Sequence, residues 1–320
     1  MKMGFAGEYS FVVSGGQRGT VKLAEMSNVI TDIGLDRIGV GGVGQFCRVG
    51  AGNRPAETGD SSLVSQIAHT DSVHARTTFY EPGPPPRSAV RITYRFGKGV
   101  AKGTLSEVGI GWTNSGDTLW SRALIKDEDG EPLSITVLAD EVLDVIYTLY
   151  MYLDLNDDVK QFVYKGINRK ATTRFNHVKE HGFMHSVFFQ GLPTGSGGNY
   201  WHSNIGGAKS VLGDVYTPAT LSPGINQYHY GYRSMEDYVN GSHERIIKWM
   251  IPDTTWTSDN LISVMTVWPH HGNGWSYGGA LSVKTQFEPP LEKDYTEEFT
   301  YIGKIKWGRY VPPPPDPVEP

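Results

Sequence analysis

Residues 142–153, VLDVIYTLYMYL, divide with a period of two: Leu143, Val145, Tyr147, Leu149, Met151 and Leu153, all apolar or aromatic, fall on one side, and Val142, Asp144, Ile146, Thr148, Tyr150 and Tyr152 on the other. A period of two is the period of a pleated strand. A strand this long and this apolar needs hydrogen-bonding neighbours and a second layer over its apolar face. The chain is therefore committed to β architecture. Residues 90–96, VRITYRF, repeat the pattern after the proline-rich break EPGPPPR. Further strands are predicted over 104–112, 119–126 and 133–139, the last two joined by DEDGE at 127–131, where Gly130 can take positive φ.

Composition points the same way. The chain carries 39 Gly and 19 Pro in 320 residues, and 12% of its residues are aromatic. Glycine and proline supply turns and rigid bends, and aromatics fill pleated surfaces. The fold class expected is mainly β: two tandem antiparallel β-sandwich-like domains with a long irregular insertion in the second. At this length neither domain needs a metal or disulfide staple. The single cysteine, Cys47, has no internal partner and suits a reducing compartment. No apolar run reaches the length of a membrane-spanning helix, so no membrane insertion is expected. A net charge of −5 without a basic block argues against nucleic acid as a partner. The start MKMGFAGEYS reaches Glu8 before the apolar core of a signal peptide can form, which predicts a chain not exported by that route.

Local signals place the minor elements. YSFVV and TVKLA flank SGGQRG, where Gly15, Gly16 and Gly19 predict a hairpin loop. Thr31 or Asp32 can cap a short helix carrying Ile33, Leu35 and Ile38 and ended by Gly39. A second short helix is expected after Asp60, with Leu63, Val64 and Ile67 on one face, and FMHSVFF reads as a strand.

The second half echoes the first. Arg91-Ile92 recurs as Arg245-Ile246, 154 residues on; Trp112 as Trp268; Trp120-Ser121 as Trp275-Ser276; and Asp140 with Tyr147 as Asp294 with Tyr301. These anchors predict a duplication with its boundary in DLNDD at 154–158, although β-rich sequences with many Trp and Gly also align easily. The expected parts are a β-domain at 1–156, a second β-domain at 157–311 with an insertion at 191–241, and a proline-rich tail at 312–320. That tail, PPPPDPVEP, cannot continue a helix or a central strand.

No catalytic constellation emerges. His177, His181 and His185 beside Glu180 have helical spacing for a metal, but Gly182 and the strand-like FMHSVFF favour turn or surface histidines. His270 and His271 are read as a turn. DEDGE and DLNDD lack the spacing of a calcium loop, GVGGVG at 39–44 is a loop without a βαβ unit, and Cys47 reads as an ordinary buried thiol. No metal or cofactor is expected. The group with binding character is aromatic: Tyr200, Trp201, His202, Tyr228, Tyr230, Tyr232 and Tyr238, in a stretch rich in Asn and Gly. Such rings stack on sugar faces or anchor protein interfaces, or else pack the core of the irregular region itself.

The segments NVITDIGLDRIG, FCRVGAGNRPAETGDSSLVSQIA, GTLSEVGIGW and LWSRALIKDEDGEPLSITVLADEVLDVIYTL, within residues 7–153, resemble a group of poorly characterised virion proteins of tailed bacteriophages and prophages. The resemblance implies a structural, non-enzymatic role in a tail, tail fibre or appendage, with attachment to the host or to a neighbouring virion protein. A neck or collar adaptor and a polysaccharide-degrading appendage enzyme are the alternatives. Expected partners are other virion proteins, further copies of the chain, and a host glycan or receptor. The expected location is the virion, after synthesis in the host cytoplasm.

Overall fold

The alternation at 142–153 is realised as a central strand in the computed structural model, which describes residues 2–17, 19–177, 182–192, 199–206, 216, 232–251, 261–271, 281–292 and 297–312. The first half contributes β1 (Lys2–Gly15), β2 (Val21–Ser27), β3 (Val29–Ile30), α1 (Asp32–Ile38), β4 (Phe46–Gly50), β5 (Gln66–Thr70), β6 (Val73–Glu81), β7 (Arg87–Phe96), β8 (Gly103–Leu105), β9 (Glu107–Gly111), β10 (Leu119–Leu124), β11 (Ile135–Val137) and β12 (Glu141–Leu153). The second half adds β13 (Asp158–Tyr164), β14 (Ile167–His177), α2 (Gly182–Gln190), β15 (Asn199–Gly206), β16 (Tyr232–Met235), β17 (Glu244–Ile251), β18 (Leu261–His271), β19 (Leu281–Glu292) and β20 (Phe299–Arg309). The fold is mainly β. No helix among the described residues is long and apolar enough to cross a membrane.

Three sheets carry the architecture. The largest runs β16-β17-β20-β1-β12-β7-β6, with β2 also on β1. The second runs β3-β10-β9-β4-β5 and the third β13-β14-β19-β18-β15, while β8 and β11 form a small ribbon. The first two sheets face each other over a mixed core. Phe5, Tyr9, Phe11 and Tyr147 from the large sheet meet Val49, Ile110 and Trp120 from the second, all essentially inaccessible to water. Phe5 meets the Trp120 ring edge-on at 6.0 Å, the favoured geometry for aromatic quadrupoles. The core's polar tips are paired across the interface. Trp120 Nε1 donates to Tyr147 Oη at 2.7 Å, and Tyr9 Oη shares a 2.7 Å bond with Ser121 Oγ. Burial pushes the Tyr147 phenol up to about 12, so these hydroxyls stay neutral and remain able to donate.

The large sheet crosses the boundary expected near residue 156. β20 pairs in parallel with β1, Lys2 to Phe5 opposite Lys306 to Arg309, whereas every other described pairing is antiparallel. Outward from β1 the two flanks correspond: β12, β7 and β6 on one side; β20, β17 and β16, in reversed direction, on the other. In each half a hairpin of a different sheet, β9–β10 of the second or β18–β19 of the third, lies between the paired strands in sequence, and a helix follows the strand beside that hairpin. The correspondence is not in exact register. Ile92 faces Tyr147, but Ile246 faces Lys304 and Trp249 faces Tyr301, a shift of three residues. Trp275, Ser276 and Asp294 lie outside the described residues.

α1 forms where expected: Thr31 Oγ1 accepts from Gly34 N at 3.0 Å, and Gly39 caps the C-terminus. Two expectations are corrected. FMHSVFF is not a strand but most of α2, because Met184, Val187 and Phe188 recur at helical spacing and are all buried. The helix expected after Asp60 does not form, because the Val64 and Ser65 amides donate to the Glu107 carboxylate at 3.1 and 2.7 Å instead of entering a helical ladder. α2 ends against the loop at 39–44, where Val43 N and Gly44 N both donate to Phe188 O. A Cβ on Gly42 would overlap the Phe189 carbonyl and one on Gly44 the Phe188 ring, so the GVG at 42–44 is spaced for close helix approach.

Candidate functional site

The aromatic residues singled out in the sequence do not fall in one place. Tyr228 and Tyr230 lie outside the described residues. Tyr200, Trp201 and His202 belong to β15, at the edge of the third sheet, in register with His270, Pro269 and Trp268 of β18. His270 and His271 therefore end a strand rather than form the expected turn. Tyr232 opens β16 opposite Met250. Tyr238 is half-buried in a contact within the molecule. Its hydroxyl donates to Asp36 Oδ1 of α1, its ring stacks on Trp307 at 5.5 Å, and the Arg245 guanidinium lies 5.7 Å from its centroid. Burial and the Asp36 carboxylate push its phenol up to about 12. Of the histidines considered for a metal, His181 lies outside the described residues, and His185 Nε2 accepts from Arg76 Nη1 at 2.7 Å. Burial and the Arg76 charge lower the His185 pKa and favour the neutral ring.

Composition gave no sign of the strongest electrostatic feature, a set of buried charges beneath the loop at 51–65. The Arg122 and Glu107 side chains are both fully buried and bonded at 2.9 Å. Glu107 also accepts from the amides of Gly52, Val64 and Ser65. Arg122 further donates to Pro55 O, Arg54 O and Asp60 Oδ2, and Arg54 closes the set from the surface through Asp60 Oδ1. Every charge has a counter-charge or amide, as burial demands. Nearby, Arg48 is buried without a carboxylate and holds the turn after β9 through Thr113 O at 3.0 Å and Gly116 O at 2.9 Å. Burial lowers its pKa to about 10.

Asp60 gives this set a pH dependence. Burial alone would raise its pKa, but hydrogen bonds from Arg54, the Glu57 amide and Arg122 outweigh it and hold the carboxyl below the usual Asp value. A group depressed in the folded state contributes stability above its unfolded pKa, near 3.9, and loses it as pH falls through the folded value. The melting temperature is therefore expected to drop between about pH 5 and 2, and Asp60→Asn to lower it at pH 7 while flattening that acid limb. An acid limb unchanged in the Asn variant would refute the assignment.

The described residues also form an open groove of about 770 Å³ where the two halves join. Two of its lining segments are tied to β1: Asp154 N donates to Lys2 O at 3.0 Å and Tyr310 N to Phe5 O at 2.8 Å. Tyr310 stacks on Tyr152 with centroids 3.6 Å apart and planes within 10°. Pro85 and Pro86 contribute apolar lining, and Asp154, Asn156, Asp157 and Arg174 the polar lining. Asp154 Oδ1 accepts from both the amide and the side chain of Asn156. Asp157 receives Arg174 Nη1 at 3.1 Å and Tyr216 Oη at 2.9 Å. The turn DLNDD, weighed in the sequence as an acidic loop, thus presents a fixed row of planar polar groups beside an aromatic ring. Among the described residues, no three His, Cys, Asp or Glu side chains are grouped to hold a metal ion.

Comparison with protein-family models, curated proteins and solved structures finds no match to this chain.

Proposed function

We propose that the chain is a duplicated β protein that serves as a structural component of a tailed-phage virion, in a tail, tail fibre or appendage, and makes contact with the host or a neighbouring virion protein rather than carrying out catalysis. The observation that carries this reading is how the buried charge is used. Arg122 and Glu107 pin the long loop at 51–65 to the sheet beneath it, and Arg48 pins the turn at 112–118. Such an arrangement preorganises a contact surface, which lowers the ordering cost of association. The sequence resemblance over residues 7–153 supplies the virion setting, and the matching strand order about β1 supports the duplication. In an assembly built from copies of the chain, such loops and sheet edges are the surfaces that neighbours meet.

Immunogold electron microscopy of purified particles, with antibody raised to residues 191–241, tests the reading. Label at the outer end of a tail or fibre is the expected result and makes host contact the working role. Label at the neck or tail body would replace attachment with an adaptor role. No label on intact or disrupted particles would overturn the virion assignment.

A further inference from the structure

We propose that the groove between Pro85, Pro86, Tyr310 and the 154–157 turn is a binding site for a neutral saccharide chain. Its size falls in the range of about 300–1,000 Å³ that suits a small-molecule ligand, and it is open to solvent, so a saccharide can rest across it without being enclosed.

The lining selects the chemistry. A sugar hydroxyl both donates and accepts, and vicinal hydroxyls present two such groups at a fixed separation. Asp154 and Asp157 accept, Arg174 donates, and Asn156 does both, so one turn with its neighbour covers both requirements with planar groups. The apolar C–H face of a pyranose needs an aromatic or proline surface, which Tyr310, Pro85 and Pro86 provide. The groups are held before any ligand arrives. Tyr310 is fixed by its stack on Tyr152 and the hydrogen bond its backbone N–H donates to Phe5 O, Asp157 by Arg174 and Tyr216, and Asn156 by Asp154. Such preorganisation reduces the ordering cost of binding.

Charge and valence narrow the class. Two carboxylates face one guanidinium in the lining, which disfavours a sulfated or carboxylated polysaccharide. A proline-rich peptide, including the 312–320 segment that begins at the groove's edge, is the other ligand that aromatic and proline surfaces attract. Its backbone, however, offers almost no donors, and Asp316 and Glu319 of that segment would bring like charge to the Asp154 and Asp157 carboxylates. The polar half of the groove therefore favours sugar over polyproline.

The assignment stands on the groove and does not depend on the virion reading. The experiment uses the purified full chain in isothermal titration and saturation-transfer NMR. The probes are neutral gluco-, manno- and galacto-oligosaccharides of two to six units, a sulfated oligosaccharide, and the peptide PPPPDPVEP. At least one neutral oligosaccharide is expected to bind. Asp154→Asn and Tyr310→Ala are each expected to weaken it tenfold or more, and Tyr310→Phe, which keeps the ring, less than threefold. Unchanged circular dichroism of Asp154→Asn and Tyr310→Phe separates binding loss from unfolding. The proposal is overturned if no neutral probe binds, if binding survives Asp154→Asn and Tyr310→Ala, or if the peptide or the sulfated sugar is the ligand these variants lose. The particle-labelling outcome is separate, since a saccharide site absent from virions would remain a saccharide site.

Discussion

Replacing Glu107 by Ala is expected to destabilise the protein by about 3–5 kcal/mol, the usual cost of stranding one member of a buried ion pair. The substitution leaves the Arg122 guanidinium enclosed with only Asp60 as a counter-charge, and it strips acceptors from the amides of Gly52, Val64 and Ser65. Both consequences act on the same loop. Equilibrium unfolding in guanidinium chloride reads the effect as a lower midpoint at unchanged slope. A companion variant, Glu107→Leu with Arg122→Met, removes both charges together and is expected to recover much of the loss, because no ion is left unpaired. A single-variant loss below about 1 kcal/mol, the scale of an exposed pair, would mean that water reaches the Arg122 guanidinium and that the set is not the loop's anchor.

Trp307→Ala carries the second large effect, about 3–5 kcal/mol as for other buried aromatics, and it acts on the joint between the halves. Trp307 is buried on β20, yet its indole nitrogen donates to Leu35 O of α1 at 2.7 Å, and its ring lies against Gly39 closely enough that a Cβ there would overlap it. Tyr238 stacks on the same ring and reaches Asp36 on the same helix. Removing the indole therefore opens a cavity and leaves a helix carbonyl without its donor. Limited proteolysis is expected to cut first near residues 236–243, whose Tyr238 and Gly241 are tied to Asp36. An unchanged cleavage pattern together with an unchanged melting temperature would show that β20 is held by its sheet partners alone.

Several elements could be read directly from the sequence because their cause is local. β12 follows from an apolar period of two, α1 from the Thr31 cap and the Gly39 stop, and the 127–131 turn from its Asp–Gly pair, in which Asp127 Oδ1 receives the amides of Asp129 and Glu131. The hairpin expected around that turn is limited to Lys126 opposite Pro132, since β10 pairs with β3 and β9, and β11 with β8. What escaped had a non-local cause. The short apolar run at 183–189 fits either period, and only the loop at 39–44, 145 residues earlier at Val43–Phe188, decides for helix. β6 (Val73–Glu81) is mostly polar because it is an edge strand, so alternation could not reveal it. The pairing of β1 with β20 carries no sequence signal. The same holds for the groove: its lining comes from segments around residues 85, 155, 174 and 310, each unremarkable alone. Tyr238 is one of several aromatics in its stretch, but its role depends on Asp36 and Trp307, which the sequence does not connect to it.

The parallel join between Lys2 and Lys306 also sets an order of events during synthesis. β1 is made 304 residues before β20, its neighbour in the sheet. At about 5–20 residues per second, that is an interval of roughly 15–60 s. β12 and β2 can pair with β1 during this time, so the first half can settle on the ribosome while the landing edge for β20 stays open. Loop closure over so long a segment is slow, and an open strand edge invites pairing with another chain. Overexpression at high temperature is therefore the condition under which nascent copies would exchange β20 strands and aggregate, while slower synthesis gives each chain time to close on itself.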